Sequence, residues 1–198
     1  MDIENLTRQS TIYTSNVWFC SCNDANEGGV LIDTGCDPGI LEYLQEQKKR
    51  LGRNPVSQII LTHNHYDHAR LLTEIKKEYG TTVYASSPYA TGIDRILSDG
   101  DVIRCGIYHF EIIAIPGHTS DSICIYCPEE EILFSGDTPM MIWGTDNTYE
   151  QAFIRGFEEL ATKKFHTIYP GHGEIIATGV ADLIRNSLVN LHKSRVIK

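Results

Sequence analysis

The chain has 198 residues, of which 41% are hydrophobic and 22% are charged, and this composition is typical of a single soluble globular domain spanning residues 1–198. The formal net charge of −9 and the lack of a basic run argue against nucleic acid as a partner, because the phosphate backbone is bound by clustered Lys and Arg. The polar start MDIENLTRQS does not resemble a secretory signal, and no apolar run approaches the roughly 20 residues of a membrane span. We therefore expect a cytoplasmic protein without membrane contact, in which the six cysteines are mostly thiols.

Periodicity and turn residues predict a mostly β chain with interspersed helices. Pro38 suits a first helical turn and Gly52 a helix end, while Asn147-x-x-Glu150 and Thr148-x-x-Gln151 resemble capping boxes that open a helix. Helices are predicted at 38–52, 68–80, 149–164 and 180–195, and strands at 10–23, 30–35, 56–62, 81–86, 101–105, 107–115, 122–127, 131–136 and 166–170. Two sheets packed face to face with helices outside would bury these strands on both sides.

The stretch LTHNHYDHARLL (residues 61–72) follows a predicted strand and carries four potential metal ligands. His63, His65, Asp67 and His68 fall within six positions. Asp67 alone could cap the following helix, so this stretch by itself does not establish a metal site. A metal site would need further ligands from elsewhere in the chain.

Three other turns supply candidates for those ligands. His118 lies in IPGHTSDS, Asp137 in LFSGDTP and His172 in YPGHGE, and each follows a strand-like run in a turn that contains Gly. Loops at strand ends commonly present reactive groups. Each residue alone has a simpler explanation, since a lone His is more often packed or exposed and Asp137 could bond its own turn. The joint pattern favours a metal site.

Counting donors allows two metal ions. Imidazole and carboxylate donors suit Zn²⁺, which we expect first, and also Fe or Mn. We assign His63, His65 and His118 to one ion, Asp67, His68 and His172 to the second, and Asp137 as a bridge between them. The other histidines, His109, His166 and His192, have no ligand-rich neighbourhood in the sequence and are predicted not to bind metal. Cys124-x-x-Cys127 lies in a predicted strand, where residues three apart face opposite sides, so we predict no zinc or redox role for it.

These residues together resemble the metallo-β-lactamase-fold hydrolases. The motifs that carry the resemblance are Asp33 in VLIDTG, the T-H-x-H-x-D-H run from Thr62 to His68, and then His118, Asp137 and His172, in the order found in the family. The resemblance implies an α+β fold, a four-layer αββα sandwich of two mixed β-sheets flanked by helices. It also implies a dinuclear site in which Asp33 lies near the metals without binding them. A bridging Asp137 resembles the glyoxalase II and lactonase branch and differs from the true β-lactamases.

The sequence departs from the glyoxalase II pattern in several places. Arg70 stands where Gly is common, Ser120 and Asp121 replace a Pro-Gly pair, and TPMMIWGTDN (residues 138–147) replaces a stretch with Gly and Arg. Only 26 residues follow His172, so we expect no separate helical C-terminal domain of the kind that helps glyoxalase II to hold glutathione.

The implied reaction is hydrolysis similar to that of hydroxyacylglutathione hydrolase. A bridging hydroxide would attack the carbonyl of a small thioester, ester or lactone. Asp137 and Asp67 are the predicted catalytic residues, with Asp137 accepting and returning the proton. Asp33 and Asp121 are candidates for orienting the imidazole rings from outside the ligand set.

Substrate selectivity is expected from residues 138–157. Met140 and Trp143 are apolar enough to form a pocket wall, and Tyr149 and Arg155 could contact a polar or anionic end of the substrate. The alternative interpretation is that this segment only packs a helix on the sheet. Two other functions stay open: a mononuclear iron oxidoreductase similar to persulfide dioxygenase, and a non-catalytic metal-binding effector of the same fold.

Overall fold

The computed structural model describes residues 1–22, 28–89, 91–144 and 147–197. The chain divides into two compact units. The first contains Met1–Leu97 and Ile103–Tyr108, and the second contains Ser98–Val102 and His109–Lys198. None of the helices in the described ranges combines the length and the hydropathy needed to cross a bilayer.

The first unit is built around a six-stranded mixed sheet. Its strands are β1 (Asp2–Asn5), β2 (Trp18–Ser21), β3 (Gly29–Ile32), β4 (Val56–Ile60), β5 (Thr82–Ala85) and β6 (Arg95–Ile96), and its helices are α1 (Gly39–Leu51), α2 (Tyr66–Ala69) and α3 (Leu72–Tyr79). The strand order follows the sequence. β1, β2 and β3 pair antiparallel, whereas β3 to β6 pair in parallel, so the loops after β3 and β4 leave the sheet at the same edge.

The second unit contains a mixed sheet and a short two-stranded sheet. Its elements are β8 (Tyr108–Ala114), β9 (Ile123–Cys127), β10 (Ile132–Gly136), β11 (Thr148–Glu150), α4 (Gln151–Thr162), β12 (Thr167–Pro170), α5 (Val180–Lys193) and β13 (Arg195–Ile197), and β7 (Val102–Cys105) precedes them at the boundary of the units. Within this unit, the strands of the mixed sheet lie in the order β12-β10-β9-β8. β10 and β12 are parallel, so their carboxyl ends emerge side by side.

Helix α4 packs directly on strand β8. Its apolar stripe includes Phe153, Phe157 and Leu160, all buried, as the spacing of a surface helix requires. Gly156 lies on the same stripe, and a Cβ there would be 2.3 Å from the carbonyl oxygen of Ala114. Only glycine permits the helix to approach the strand this closely.

The helix predicted at 38–52 is confirmed, and Gly52 ends it in the left-handed conformation with φ of 66°. The helix predicted at 68–80 is confirmed only in part. It is broken into α2 and α3, because the amide of Leu71 donates to the carbonyl of Gly35 at 3.2 Å. The chain thereby bends next to the histidine-rich motif.

The capping-box prediction is wrong. Residues Thr148–Glu150 form β11, which pairs in parallel with β13, and α4 begins only at Gln151 without a side-chain cap. The amide of Arg195 donates to the carbonyl of Asn147 at 3.0 Å, so this backbone is engaged by a segment almost 50 residues away. A short sequence pattern such as a capping box cannot show pairing with a strand so far away in the sequence.

The strand predicted at 10–23 is also too long, since among residues 10–22 only Trp18–Ser21 is extended in a sheet, and Asn23 lies outside the described residues. The residues before it bond to loops instead of to a neighbouring strand. The amide of Ser15 donates to the carbonyl of Asp67 at 3.1 Å, and Thr14 Oγ1 accepts from the amide of Cys36 at 2.9 Å.

The cysteines follow the prediction in part. Cys20, Cys36, Cys124 and Cys127 are thiols, whereas Cys22 and Cys105 form a disulfide across a sequence separation of 83. Cys124 and Cys127 both lie in β9, as predicted for this stretch. Burial raises the pKa of each of these two thiols to about 12, so neither is a thiolate at neutral pH.

Candidate metal centre

The first unit presents one group of potential ligands, His63, His65, Asp67 and His68, which we call the first cluster. It occupies the loop after β4 and the short helix α2. One ligand atom of His63 lies within 4.8 Å of one in His65 and of one in His68. His68 Nε2 is 3.9 Å from Asp67 Oδ2. His63 and His68 are buried while His65 is exposed, so the cluster extends from the interior to the surface of its unit.

The buried Asp33 orients the two buried rings of the first cluster. Its Oδ1 accepts from the amide of Thr62, and its Oδ2 accepts from the Thr62 hydroxyl and from His68 Nδ1, each at 2.8 Å. Asp33 is 1% exposed and has φ of 63°, a conformation that Asp tolerates better than most side chains. The loop after β3 therefore turns its carboxylate toward the loop after β4.

Thr62 extends this network to His63. Thr62 Oγ1 lies 3.1 Å from His63 Nδ1. Because the hydroxyl donates its proton to Asp33, it accepts one from the ring nitrogen. His63 and His68 then both carry their proton on Nδ1 and their lone pair on Nε2, and this tautomer leaves Nε2 able to bind a metal ion. The sequence analysis included Thr62 in the motif but assigned no role to its hydroxyl.

The second unit presents a further group, His118, Asp137 and His172, which we call the second cluster. His118 Nε2 lies 3.4 Å and His172 Nε2 lies 3.6 Å from the same oxygen, Asp137 Oδ2. The three side chains are partly exposed, between 15% and 33%. Two imidazoles thus converge on one carboxylate oxygen.

The strand ends explain how these three residues meet. Asp137 follows β10 and His172 follows the parallel β12, and the amide of Gly171 donates to the carbonyl of Gly136 at 2.8 Å. His118 lies in the turn after β8. There a Cβ on Gly117 would be 2.5 Å from the ring of Phe153, so this glycine lets the turn lie against α4.

The turn that contains His118 is closed by hydroxyl groups. Ser122 Oγ accepts from the amide of Thr119 at 3.0 Å and lies 2.8 Å from Thr119 Oγ1. Asp121, predicted as a candidate for orienting a ring, is half-buried in this turn. In the described part of the chain, no hydrogen bond joins its carboxylate to a histidine.

A cavity of about 360 Å³ borders the second cluster. Met140, Met141 and Ile176 are among the residues that line it. The other residues predicted for a pocket, Trp143, Tyr149 and Arg155, do not line this cavity. Trp143 is 75% exposed, and Arg155 is exposed on α4. Tyr149 stacks on Phe153, with ring centroids 5.1 Å apart. Ile176 could not be found from the sequence, because its place is set by pairing with β12.

The remaining histidines contact local partners in the second unit. His109 pairs with Glu129, His166 Nδ1 is 2.8 Å from Thr167 Oγ1, and His192 Nε2 is 2.8 Å from Glu158 Oε1. These contacts involve none of the candidate ligands.

The two clusters fit divalent metal ions by their chemistry. They offer imidazole nitrogens and carboxylate oxygens, the donors that Zn²⁺, Fe and Mn accept in proteins. In the first cluster, the hydrogen bonds of Asp33 and Thr62 fix the tautomer of two rings in the form that such an ion would bind.

Comparison with known proteins identifies the family. The profile of the Metallo-beta-lactamase superfamily matches residues 12–172, and the chain belongs to this superfamily. The hydroxyacylglutathione hydrolase of Bdellovibrio bacteriovorus is 31% identical over 152 residues, which are 75% of this chain and 58% of that protein. The chain spans about half the length of the curated relatives that it matches.

Solved structures show the same fold. The crystal structure of ETHE1 from Myxococcus xanthus has a TM-score of 0.65 at 21% identity and covers 96% of this chain and 89% of its own. ST1585, an archaeal superfamily protein from Sulfolobus tokodaii, has a TM-score of 0.67 at 16% identity and covers 99% of this chain and 88% of its own. The predicted fold class, α+β with two mixed sheets and helices, is confirmed.

Proposed function

We propose that the chain is a metal-dependent hydrolase that cleaves a small thioester, ester or lactone. The observation that carries this proposal is the convergence of His118 Nε2 and His172 Nε2 on Asp137 Oδ2, at 3.4 and 3.6 Å. A carboxylate placed between two imidazoles suits a bridge between two metal ions. The name of the curated relatives, hydroxyacylglutathione hydrolase, supports a hydrolase with a small-molecule substrate.

The proposed ligands are those predicted from the sequence. His63, His65 and His118 would hold one ion, Asp67, His68 and His172 the other, and Asp137 would bridge them. Zn²⁺ is the expected metal, with Fe and Mn as alternatives. In other words, we propose that the first and second clusters serve one dinuclear centre.

When bound, the two ions would lower the pKa of a shared water toward neutrality and polarise the substrate carbonyl. The residues of the chain would supply the proton handling and the orientation. Asp137 would accept a proton and return it to the leaving group, and Asp67 would assist at the other side of the centre. Asp33, through its bonds to Thr62 and His68, would keep the buried rings in the binding tautomer.

A metal assay combined with a substrate panel tests the proposal. Purified protein loaded with Zn²⁺, Fe²⁺ or Mn²⁺ should bind about two ions per chain and hydrolyse at least one class among acyl thioesters, aryl esters and lactones. Asp137→Ala should reduce the bound metal and lower turnover at least about a hundredfold, because the bridge and the proton acceptor are lost together.

His109→Ala is the matched control, since His109 contacts Glu129 and none of the proposed ligands. It should leave metal content and turnover unchanged. Equal damage from the two substitutions would mean that the site is misassigned, and an absence of metal-dependent turnover on the whole panel would refute the hydrolase.

The same measurements separate the alternative functions. A mononuclear iron oxidoreductase would bind about one iron per chain, consume oxygen in the presence of a thiol and tolerate replacement of His172. A non-catalytic effector would bind the metals and turn over none of the substrates. The second cluster favours the hydrolase, because His172 lies beside Asp137 and would supply a ligand to a second ion.

A further inference from the structure

We propose that the cavity beside Asp137 is an acyl pocket, and that Met141 and Ile176 form the wall that selects an uncharged, apolar acyl group. This inference rests on the proposed hydrolase function and specifies its substrate class. The whole cavity lies within the second unit and occupies about 360 Å³.

The chemistry of the lining carries the selectivity. Among the described residues, the cavity is lined by His118, Ser135, Gly136, Asp137, Thr138, Pro139, Met140, Met141, Pro170, His172 and Ile176. The only ionisable side chains in this set are the three members of the second cluster, which are the proposed metal ligands. A charged acyl group that lies against the other, uncharged lining residues would therefore lose its hydration without gaining an opposite charge from the wall, and this is costly. An apolar acyl group would gain contact with the methionine, proline and isoleucine side chains.

The segment that carries Met141 is held rigidly by helix α5. The Ser187 hydroxyl accepts from the amide of Ile142 at 3.0 Å and donates to the carbonyl of Met140 at 2.9 Å, and Asn190 Nδ2 donates to the carbonyl of Ile142 at 2.9 Å. Met140 and Ile142 are 5% and 3% exposed and belong to the core of this unit. Met141 stands between these two anchors, lines the cavity and is 43% exposed.

Ile176 is held from the other side by strand β12. Its amide donates to the carbonyl of Ile168 at 3.0 Å, and the amide of Ile168 donates back to the carbonyl of Ile176 at 2.9 Å. Because β12 also leads into the loop with His172, the position of this wall is tied to that of the cluster. Both residues of the wall are therefore held in place before a substrate binds, which reduces the entropy lost on binding.

The size of the cavity limits the occupant. About 360 Å³ is near the lower end of the range for small-molecule sites, so the cavity suits one acyl group and not a whole thioester with a large thiol. Methionine adapts to irregular shapes, so linear and aromatic acyl groups should both be accepted.

Thioesters that share one thiol and differ in the acyl group test the inference on metal-loaded protein. Hexanoyl and phenylacetyl thioesters should have kcat/KM values at least about tenfold above that of the anionic succinyl thioester. Met141→Lys should lower kcat/KM for hexanoyl about tenfold through KM and raise it for succinyl, with kcat and metal content nearly unchanged. Ile176→Ala should also lower kcat/KM for the hexanoyl thioester through KM, and it should lower that value more than the value for the succinyl thioester.

Val189→Lys is the matched control, because Val189 is 45% exposed on α5 and does not line the cavity. This substitution should leave the KM values for the hexanoyl and succinyl thioesters unchanged. If wild type hydrolyses succinyl and hexanoyl thioesters equally well, or if Met141→Lys leaves the ratio unchanged, the acyl pocket is refuted while the hydrolase stands.

A binding measurement tests the pocket without turnover. Hexanoate should perturb the methyl NMR signal of Met141 in the metal-loaded protein, whereas succinate at the same concentration should not. Absence of turnover on every substrate would refute the proposed function, and absence of a Met141 perturbation by hexanoate would then refute the pocket as well.

Discussion

Thr62 contributes a single hydroxyl that serves two buried partners. It donates to Asp33 Oδ2 and accepts from His63 Nδ1, and Thr62 itself is 2% exposed. A buried group that loses its hydrogen-bond partner costs about 1–3 kcal/mol. The function of the proposed centre and the stability of the first unit therefore depend on the same oxygen atom.

Thr62→Val, which keeps the shape and removes the hydroxyl, should lower the free energy of unfolding of the metal-free protein by about 1–3 kcal/mol. It should also weaken metal binding about tenfold or more, because the His63 ring is no longer fixed. Urea denaturation and competition with a chelator measure the two effects. Thr62→Ser retains the oxygen and should recover most of the metal affinity; a serine variant as weak as the valine variant would contradict the role of the hydroxyl.

At the scale of elements, the contact between α4 and β8 depends on one missing methyl group. Gly156→Ala would bring a Cβ to 2.3 Å from the Ala114 carbonyl and 3.0 Å from the side chain of Ile115. The backbone oxygen cannot yield without moving the strand, so we expect a loss of about 1–3 kcal/mol or more in the free energy of unfolding. Thermal and urea denaturation check this.

Gly52→Ala is the control for this prediction. A Cβ at Gly52 meets no atom within 4 Å, and the cost is limited to its φ of 66°, about 1 kcal/mol. Similar losses in the two variants would mean that α4 does not need its close approach to β8.

Elements whose boundaries are set by local chemistry could be predicted from the sequence. Helix α1 lies between Pro38 and Gly52 as expected, since these residues fix the backbone by themselves. β11 could not be predicted, because Thr148–Glu150 is extended through pairing with β13, which lies far away in the sequence. The break at Leu71 likewise depends on a bond to Gly35 in another loop.

The candidate site shows the same division. The side chains that could bind metal were recognisable, since His63, His65 and His68 lie close together in one motif. The contacts around these side chains were not recognisable. Thr62 was named within the motif, but nothing in the sequence shows that its hydroxyl lies beside the His63 ring. The position of Ile176 depends on backbone pairing with β12, which has no signature in composition or spacing.

At the scale of the whole chain, the disulfide between Cys22 and Cys105 constrains the unfolded state. Closing a loop over a sequence separation of 83 should raise the free energy of unfolding by about 4.5 kcal/mol in the chain-entropy estimate. Urea midpoints of the oxidised protein with and without a phosphine reductant measure this difference. The Cys22→Ser, Cys105→Ser double variant should show one midpoint under both conditions. Six reactive thiols in denatured, unreduced protein would contradict the bond.

The connectivity of this bond was not predictable, because six cysteines allow many pairings and the sequence contains no framework that selects one. The pairing follows from the fold of the first unit. Cys22 directly follows β2 and Cys105 ends β7, and both side chains are buried.

The same covalent link has a consequence for proteolysis. A protease that cuts the backbone once anywhere between residues 22 and 105 leaves two fragments that remain joined through sulfur. Such nicked protein would migrate near its intact mass on a denaturing gel without reductant and separate into two bands after reduction. The first cluster would then stay attached to the rest of the chain even after the peptide bond is lost.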